Sequence, residues 1–188
     1  MNFIDQKIQE LAGLSAKYTA EFSELSPTET DVKPAEKAWS INECLDHIIQ
    51  CNRSYHKVLD AVAQNRHRRN AWSRVPFLPA FWAKMILKAV SPETPGKSKT
   101  FPAFMPLSSR YGRNLAGEVA TSNAQLTEKL KAIREEDLDK QIITSPAGPF
   151  VTYSLRACIT ILVEHEKRHF NQAKRLKDGL VRQKSPVP

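Results

Sequence analysis

No stretch of this chain is long and apolar enough to span a bilayer; its purely apolar runs fall far short of the roughly 20 residues a transmembrane helix needs. No basic stretch precedes an apolar core in Met1-Asn2-Phe3-Ile4-Asp5-Gln6, so no secretory signal is visible. Cysteine is scarce, three in 188 residues, and without an export signal these read as reduced cytoplasmic thiols rather than a disulfide framework. Cys44 and Cys51 are seven positions apart on one expected helix, about 10 Å along its axis, too far to bridge each other. Together with Cys158 they are expected to be core residues rather than nucleophiles, since free cysteine is among the most buried residue types. There is no internal repeat and no low-complexity tract. Metal-ligating and acidic side chains also run out early: after His169 no histidine or glutamate follows, and Asp178 is the one carboxylate side chain left.

What is present is a chain of ordinary globular composition, 41% hydrophobic, with a formal charge of +8. Its length suits one domain with a sizeable core, expected over residues 1–180, with 181–188 as a loose tail. The positive charge raises nucleic acid as a partner. It gathers in two knots, Arg66-His67-Arg68-Arg69 with Arg74, and Lys174, Arg175, Lys177, Arg182 and Lys184. No aromatic residues alternate with these cations as single-strand binding requires, and cations favour helix C-termini, so the knots read as solvated helix ends. Nucleic acid is therefore not the expected partner.

Four long helices are expected. Ile4, Ile8, Leu11, Tyr18, Phe22 and Leu25 form one apolar stripe from Phe3 to Leu25, closed by Ser26-Pro27. Ser40 and Glu43 make an S-x-x-E capping box, after which Ile41, Leu45, Ile48, Asn52, Tyr55, Leu59 and Val62 continue on one face. That helix is expected to fray near Arg69. Residues 70–110 are punctuated by six prolines and carry one apolar island, Phe81 to Val90, read as a short helix packed on the rest. A third long helix is expected from about Ser109 to Glu135. Two β-prone runs, Ile142-Ile143-Thr144 and Phe150-Val151-Thr152, flank a turn at Ser145 to Pro149. The fourth helix is expected from Tyr153 to Asp178, a stretch without Gly or Pro, with Gly179 just past its end. This pattern predicts an all-α fold, an antiparallel four-helix bundle with a helical insertion at about 70–110.

His165 and His169 lie four apart on the fourth helix, so both present imidazoles on one face. Two imidazoles so placed can grip one ion, and the third ligand is best sought at His47, at the edge of the second helix's apolar stripe. His56 falls about 180° around the helix from His47 and cannot face the same ion. Neutral imidazoles suit zinc, nickel, copper or iron, and three protein ligands leave a position open to water or substrate. Residues 165–169 also spell the H-E-x-x-H of zinc peptidases, with Glu166 as base, but the longer form of that motif needs Gly and His where this chain has Gln172 and Arg175.

Trp39-Ser40-Ile41-Asn42-Glu43-Cys44-Leu45-Asp46-His47, Pro146-Ala147-Gly148-Pro149 and His165 through Gln172 together resemble the second-helix opening, the turn before the last helix and the H-x-x-x-H segment of DinB-like proteins of the YfiT type. The order of helices agrees across nearly the whole chain, with the 70–110 insertion as in longer members. The resemblance implies a divalent metal, zinc or nickel, on His47, His165 and His169. It implies chemistry of the thiol S-transferase or hydrolase type, acting on a small-molecule thiol or electrophile, with a homodimer left open and no membrane partner. Glu166 is the candidate catalytic residue, as a base, a partner to an imidazole, or a mere salt bridge. Arg53 is a candidate to hold an anionic thiol. The competing reading is a non-enzymatic, metal-stabilised binding or interaction module.

Overall fold

Helix start signals set the frame, and in the computed structural model, which describes residues 1–93 and 100–184 (183 and 184 by backbone alone), they are used as written. α1 (Phe3–Phe22) begins where the Asn2 side chain accepts from the Asp5 amide. α2 (Pro27–Thr30) opens with a capping box between Ser26 and Glu29. α3 (Ile41–Ala63) opens with another: Ser40 Oγ accepts from the Glu43 amide at 3.2 Å while Glu43 Oε2 accepts from the Ser40 amide at 2.8 Å. Each box satisfies amides that have no partner in the first turn of a helix. α4 (Leu78–Val90) is the insertion helix and α5 (Ala116–Lys131) the third long one. β1 (Ile142–Thr144) and β2 (Thr152–Ser154) pair antiparallel, with Ile142 opposite Ser154 and Thr144 opposite Thr152. α6 (Leu155–Lys184) follows without a break, because Ser154 ends the strand and its hydroxyl accepts from the Ala157 amide at 3.1 Å. No described helix is long and apolar enough to cross a membrane.

α1 packs on α5 and α6, and α3 packs on the same two, so the four long helices enclose one core. Tyr18, Phe22, Leu45, Ile48, Leu126 and Ile159 are almost wholly buried in it. α4 lies across α6 and the small sheet, and none of its residues is fully buried.

Several boundaries differ from the sequence pattern, each for a visible reason. Residues 109–115, expected as the start of the third helix, instead tie down the end of the first. Asp31 Oδ2 accepts from the Tyr111 and Gly112 amides, and Gly112 takes a positive φ of 63° to allow it. Asn114 Nδ2 donates to the carbonyls of Phe22 and Leu25. α3 ends at Ala63 rather than near Arg69, where Asn65 takes a φ of 52°. The last helix runs through Gly179 to Lys184, and the rest of the expected tail, 185–188, lies outside the described residues.

Asn42 is the knot of this frame. It is fully buried, its Nδ2 meets Thr30 Oγ1, Asp31 Oδ1 and the Arg113 carbonyl, and its Oδ1 accepts from the Leu115 amide. Asn42→Leu keeps the volume but strands those buried groups. It is expected to cost about 2–4 kcal/mol of unfolding free energy in urea titration. A loss under about 0.5 kcal/mol, typical of a neutral surface change, would show that the knot is not holding the segment.

Candidate metal centre

α3 and α6 pack against each other, and between them the histidines meet. His47 Nε2 lies 3.2 Å from His165 Nε2, and His169 Nε2 lies 3.0 Å from the same atom. All three ligand atoms fall within 4.8 Å of one another, in the one such cluster of His, Cys, Asp and Glu among the described residues. Nitrogens about 2.0–2.1 Å from a shared ion must lie within about 4 Å of each other, and these separations match. His47 and His169 are buried and His165 is partly exposed, so the cluster is reached from one side.

The local sequence sets the aim of each ring. His47 Nδ1 donates to the Phe104 carbonyl at 2.5 Å, which fixes the tautomer and leaves the Nε2 lone pair pointing at the other two rings. Trp39 packs beside both buried rings, 4.9 Å from His47 and near-parallel to His169 at 5.8 Å between centroids. Asp46, the neighbour of His47, holds the same loop: its Oδ2 accepts from the Leu107 amide at 2.7 Å and from the Tyr111 hydroxyl at 2.9 Å. The insertion is thus stitched to α3 at two successive residues.

Burial depresses the basicity of all three histidines, most strongly at His165 and His169. At those two the neighbouring imidazoles and Arg168 add to the effect. The rings are therefore neutral, the state that binds metal. Neutral imidazoles carry one N–H and one lone pair each. With the His47 proton committed to Phe104, protein hydrogens alone leave at least one lone pair in the cluster unmatched, whereas a cation at its centre satisfies all three. The donor set fits a divalent transition-metal ion.

A cavity of about 1100 Å³ opens beside the histidines, between α3, α4 and α6. Cys51 Sγ, on its wall, sits 3.7 Å from His47 Nε2 but does not join the convergent set. All three cysteines are buried and burial pushes their thiols up, well above the range in which they ionise. Arg53 is exposed and is not part of the cavity wall; Lys37, Arg168 and Arg175 are. Of the C-terminal basic knot, Lys174 and Lys177 both pair with Glu21.

Glu166 points the other way, into the middle of the four helices. It is 1% exposed, its Oε1 accepts from Asn123 Nδ2 at 2.6 Å, Asn123 in turn accepts from Asn52 Nδ2 at 3.0 Å, and Oε2 has no partner. Burial outweighs these hydrogen bonds and pushes its carboxyl up to about 7. It does not line the cavity. The pattern of residues 165–169 offered Glu166 as a base but gave no sign of the Asn123 amide that takes it up. Nor did it signal the Phe104 carbonyl, which is backbone, or the buried Tyr55–Tyr153–Ser145 hydroxyl cluster at the cavity's inner wall.

A family model described as the DinB superfamily matches residues 10–173. Among curated proteins, the chain is similar to the uncharacterized protein YuaE of Bacillus subtilis (strain 168), 27% identical over 164 residues, which cover 86% of this chain and 91% of that one. No solved structure matches the chain significantly.

The buried histidines bind fewer protons folded than unfolded, so each stabilises the metal-free protein above the ordinary histidine value of 6.5 and loses that contribution as pH falls below it. Glu166 acts oppositely, since its raised value favours the folded state at low pH and opposes it as pH rises from 4.5 to about 7. Three groups outweigh one. Chelator-treated protein is expected to unfold at lower urea at pH 5.5 than at pH 7.5, and Glu166→Gln is expected to steepen the fall by up to about 1.4 kcal/mol per pH unit. Equal midpoints at the two pH values would contradict the burial of neutral rings.

Proposed function

The chain belongs to the DinB superfamily, and from that premise we propose that it is a metal-dependent enzyme in which His47, His165 and His169 hold one divalent ion, zinc or nickel. The observation that carries the reading is the convergence of three Nε2 atoms, 3.0 and 3.2 Å apart, at the inner end of a cavity. We read the four long helices, each packed on two of the others, as an antiparallel four-helix bundle with α4 as its lid.

When bound in such a site, a divalent ion lowers the pKa of a thiol or water, so that a nucleophile exists at neutral pH. The rest is the work of the chain. His47, His165 and His169 would hold the ion through neutral nitrogens, which would leave its charge uncompensated by the protein. The Phe104 carbonyl holds the His47 ring in its ligating tautomer, and Trp39 blocks its rotation on one face. α4 and the turn around Phe101–Met105 shield the cavity from bulk water, which strengthens electrostatic interactions inside it. Transfer of a small thiol to an electrophile, or hydrolysis of a small substrate, suits this arrangement. Glu166 is separated from the cavity and acts in this reading through the packing of α6 rather than as a base in contact with substrate. A cavity of this size favours a site that takes a ligand over an ion that merely braces the helices.

Protein expressed without a histidine tag is expected to carry one divalent ion per chain by elemental analysis. His169→Ala is expected to lower zinc affinity by at least about a hundredfold, more than loss of a partner outside the ligand set would. The variant should still melt cooperatively, because the apolar core rather than the ion drives folding. Unaltered zinc affinity in both His169→Ala and His47→Ala would overturn the metal reading. In a panel of thiols and electrophiles, Cys44→Ser, Cys51→Ser and Cys158→Ser are each expected to retain turnover while His47→Ala loses it. Loss of turnover in a soluble, zinc-loaded Cys51→Ser would instead make that thiol part of the chemistry.

A further inference from the structure

The cavity beside the histidines is not a polar cleft. Its outer wall is the apolar side of α4, with Met85, Ile86 and Val90, and beyond it the hook of Phe101, Phe104 and Met105. Across from them stand Trp39 from the start of α3 and Ile161, Leu162 and Leu176 from α6. A compact, charged substrate would leave most of this wall against water, which costs free energy in proportion to its area. α4 carries no fully buried residue, and Met85 is 42% exposed, so part of the wall still has apolar surface to cover. Exposed apolar patches of this kind mark ligand grooves.

The cavity favours negative charge, both at the histidines and along its wall. At the inner end the donor set is three imidazoles and no carboxylate, so a bound divalent ion keeps its full charge there. On the described wall Glu93 is the one carboxylate, and Lys37, Arg168 and Arg175 are the cations. Arg168 Nη1 donates to the Ser91 carbonyl, which ties this cation to the end of α4. A field of that sign attracts an anion or an acid that readily loses its proton.

We infer that the cavity takes an amphipathic small molecule, an apolar chain or ring system bearing one anionic head group, with the head at the three histidines and the apolar body along α4 and the Phe101–Met105 hook. The inference rests on the metal reading for the head group and on the wall alone for the body. It narrows the substrate class from small thiols in general to thiols or acids with a sizeable apolar part. The volume of about 1100 Å³ suits a ligand of drug-like size rather than a two- or three-carbon unit.

The test is calorimetric binding of straight-chain carboxylates, from hexanoate to dodecanoate, and of the matching alcohols, to zinc-loaded protein whose ion content is measured separately. Affinity for the carboxylates is expected to rise about fourfold per added methylene, the effect of burying one CH₂ group. The alcohol of equal length is expected to bind at least tenfold more weakly, and that gap should close in His47→Ala. Ala89→Trp, which fills the cavity from α4, is expected to weaken dodecanoate at least tenfold with zinc content unaltered. A chain-length series that is flat in protein retaining its zinc overturns the inference and leaves the metal reading standing. Protein that takes up no zinc overturns the metal reading and the anchored head group with it. An alcohol binding as tightly as the carboxylate overturns the head-group half in protein that holds the ion.

Discussion

Everything at this site depends on withdrawing three imidazoles from water at one point between α3 and α6. Desolvation is the largest influence on all three rings and keeps them unprotonated. It also sets the geometry. Rings held neutral can stand with nitrogens about 3 Å apart without the repulsion that protonated rings would suffer there. The helices that carry them must then be held at a fixed separation and rotation. Asn42 does this from the α3 side by tying α2, α3 and the approach to α5, and the Ser154 cap does it at the start of α6. Trp39 wedges against two of the rings and closes the remaining freedom.

The same helices enclose a second polar island that has nothing to do with the cavity. Glu166, Asn123, Asn52, Ser122 and Ser15 meet in the core, linked by Asn123 Nδ2 to Glu166 Oε1 at 2.6 Å and Asn52 Nδ2 to Asn123 Oδ1 at 3.0 Å. A buried carboxyl with one oxygen unpartnered is a poor contributor to stability. Its placement one residue from His165 gives it a different use: it fixes the rotation of α6 about its own axis, since a rotation that withdrew Glu166 from the Asn123 amide would swing His165 and His169 off the shared point.

Much of this was legible in the residues, where local chemistry decides the outcome. The Ser40–Glu43 box, the i,i+4 pair His165–His169 and the apolar island that becomes α4 all act within a few positions of themselves. His47 was legible as a candidate because it falls at the edge of an apolar stripe. What was not legible depends on contacts between distant segments. Residues 109–115 have the composition of a helix start, yet Asp31 and Asn42 take up their backbone groups and hold them irregular. The second strand sits two residues later than the β-prone run because Ser154 must both end it and cap α6. Glu166 carries a motif's expectation toward the metal, while the Asn123 amide of α5 draws it the other way.

The bond from His47 to the Phe104 carbonyl has a consequence for how related chains are to be compared. The group that aims the ligand is a peptide oxygen, so any residue type at position 104 supplies it equally well, and identity at that column of an alignment carries no information about the metal centre. What does carry it is spacing. The short turn Pro102–Phe104 reaches α3 with a register pinned one residue away, where Asp46 takes the Leu107 amide. A single deletion between 104 and 107 would draw one anchor off its partner while leaving every recognisable motif letter in place. In such relatives the gap pattern, rather than the lettering, is the place to look for a histidine cluster that has lost its aim.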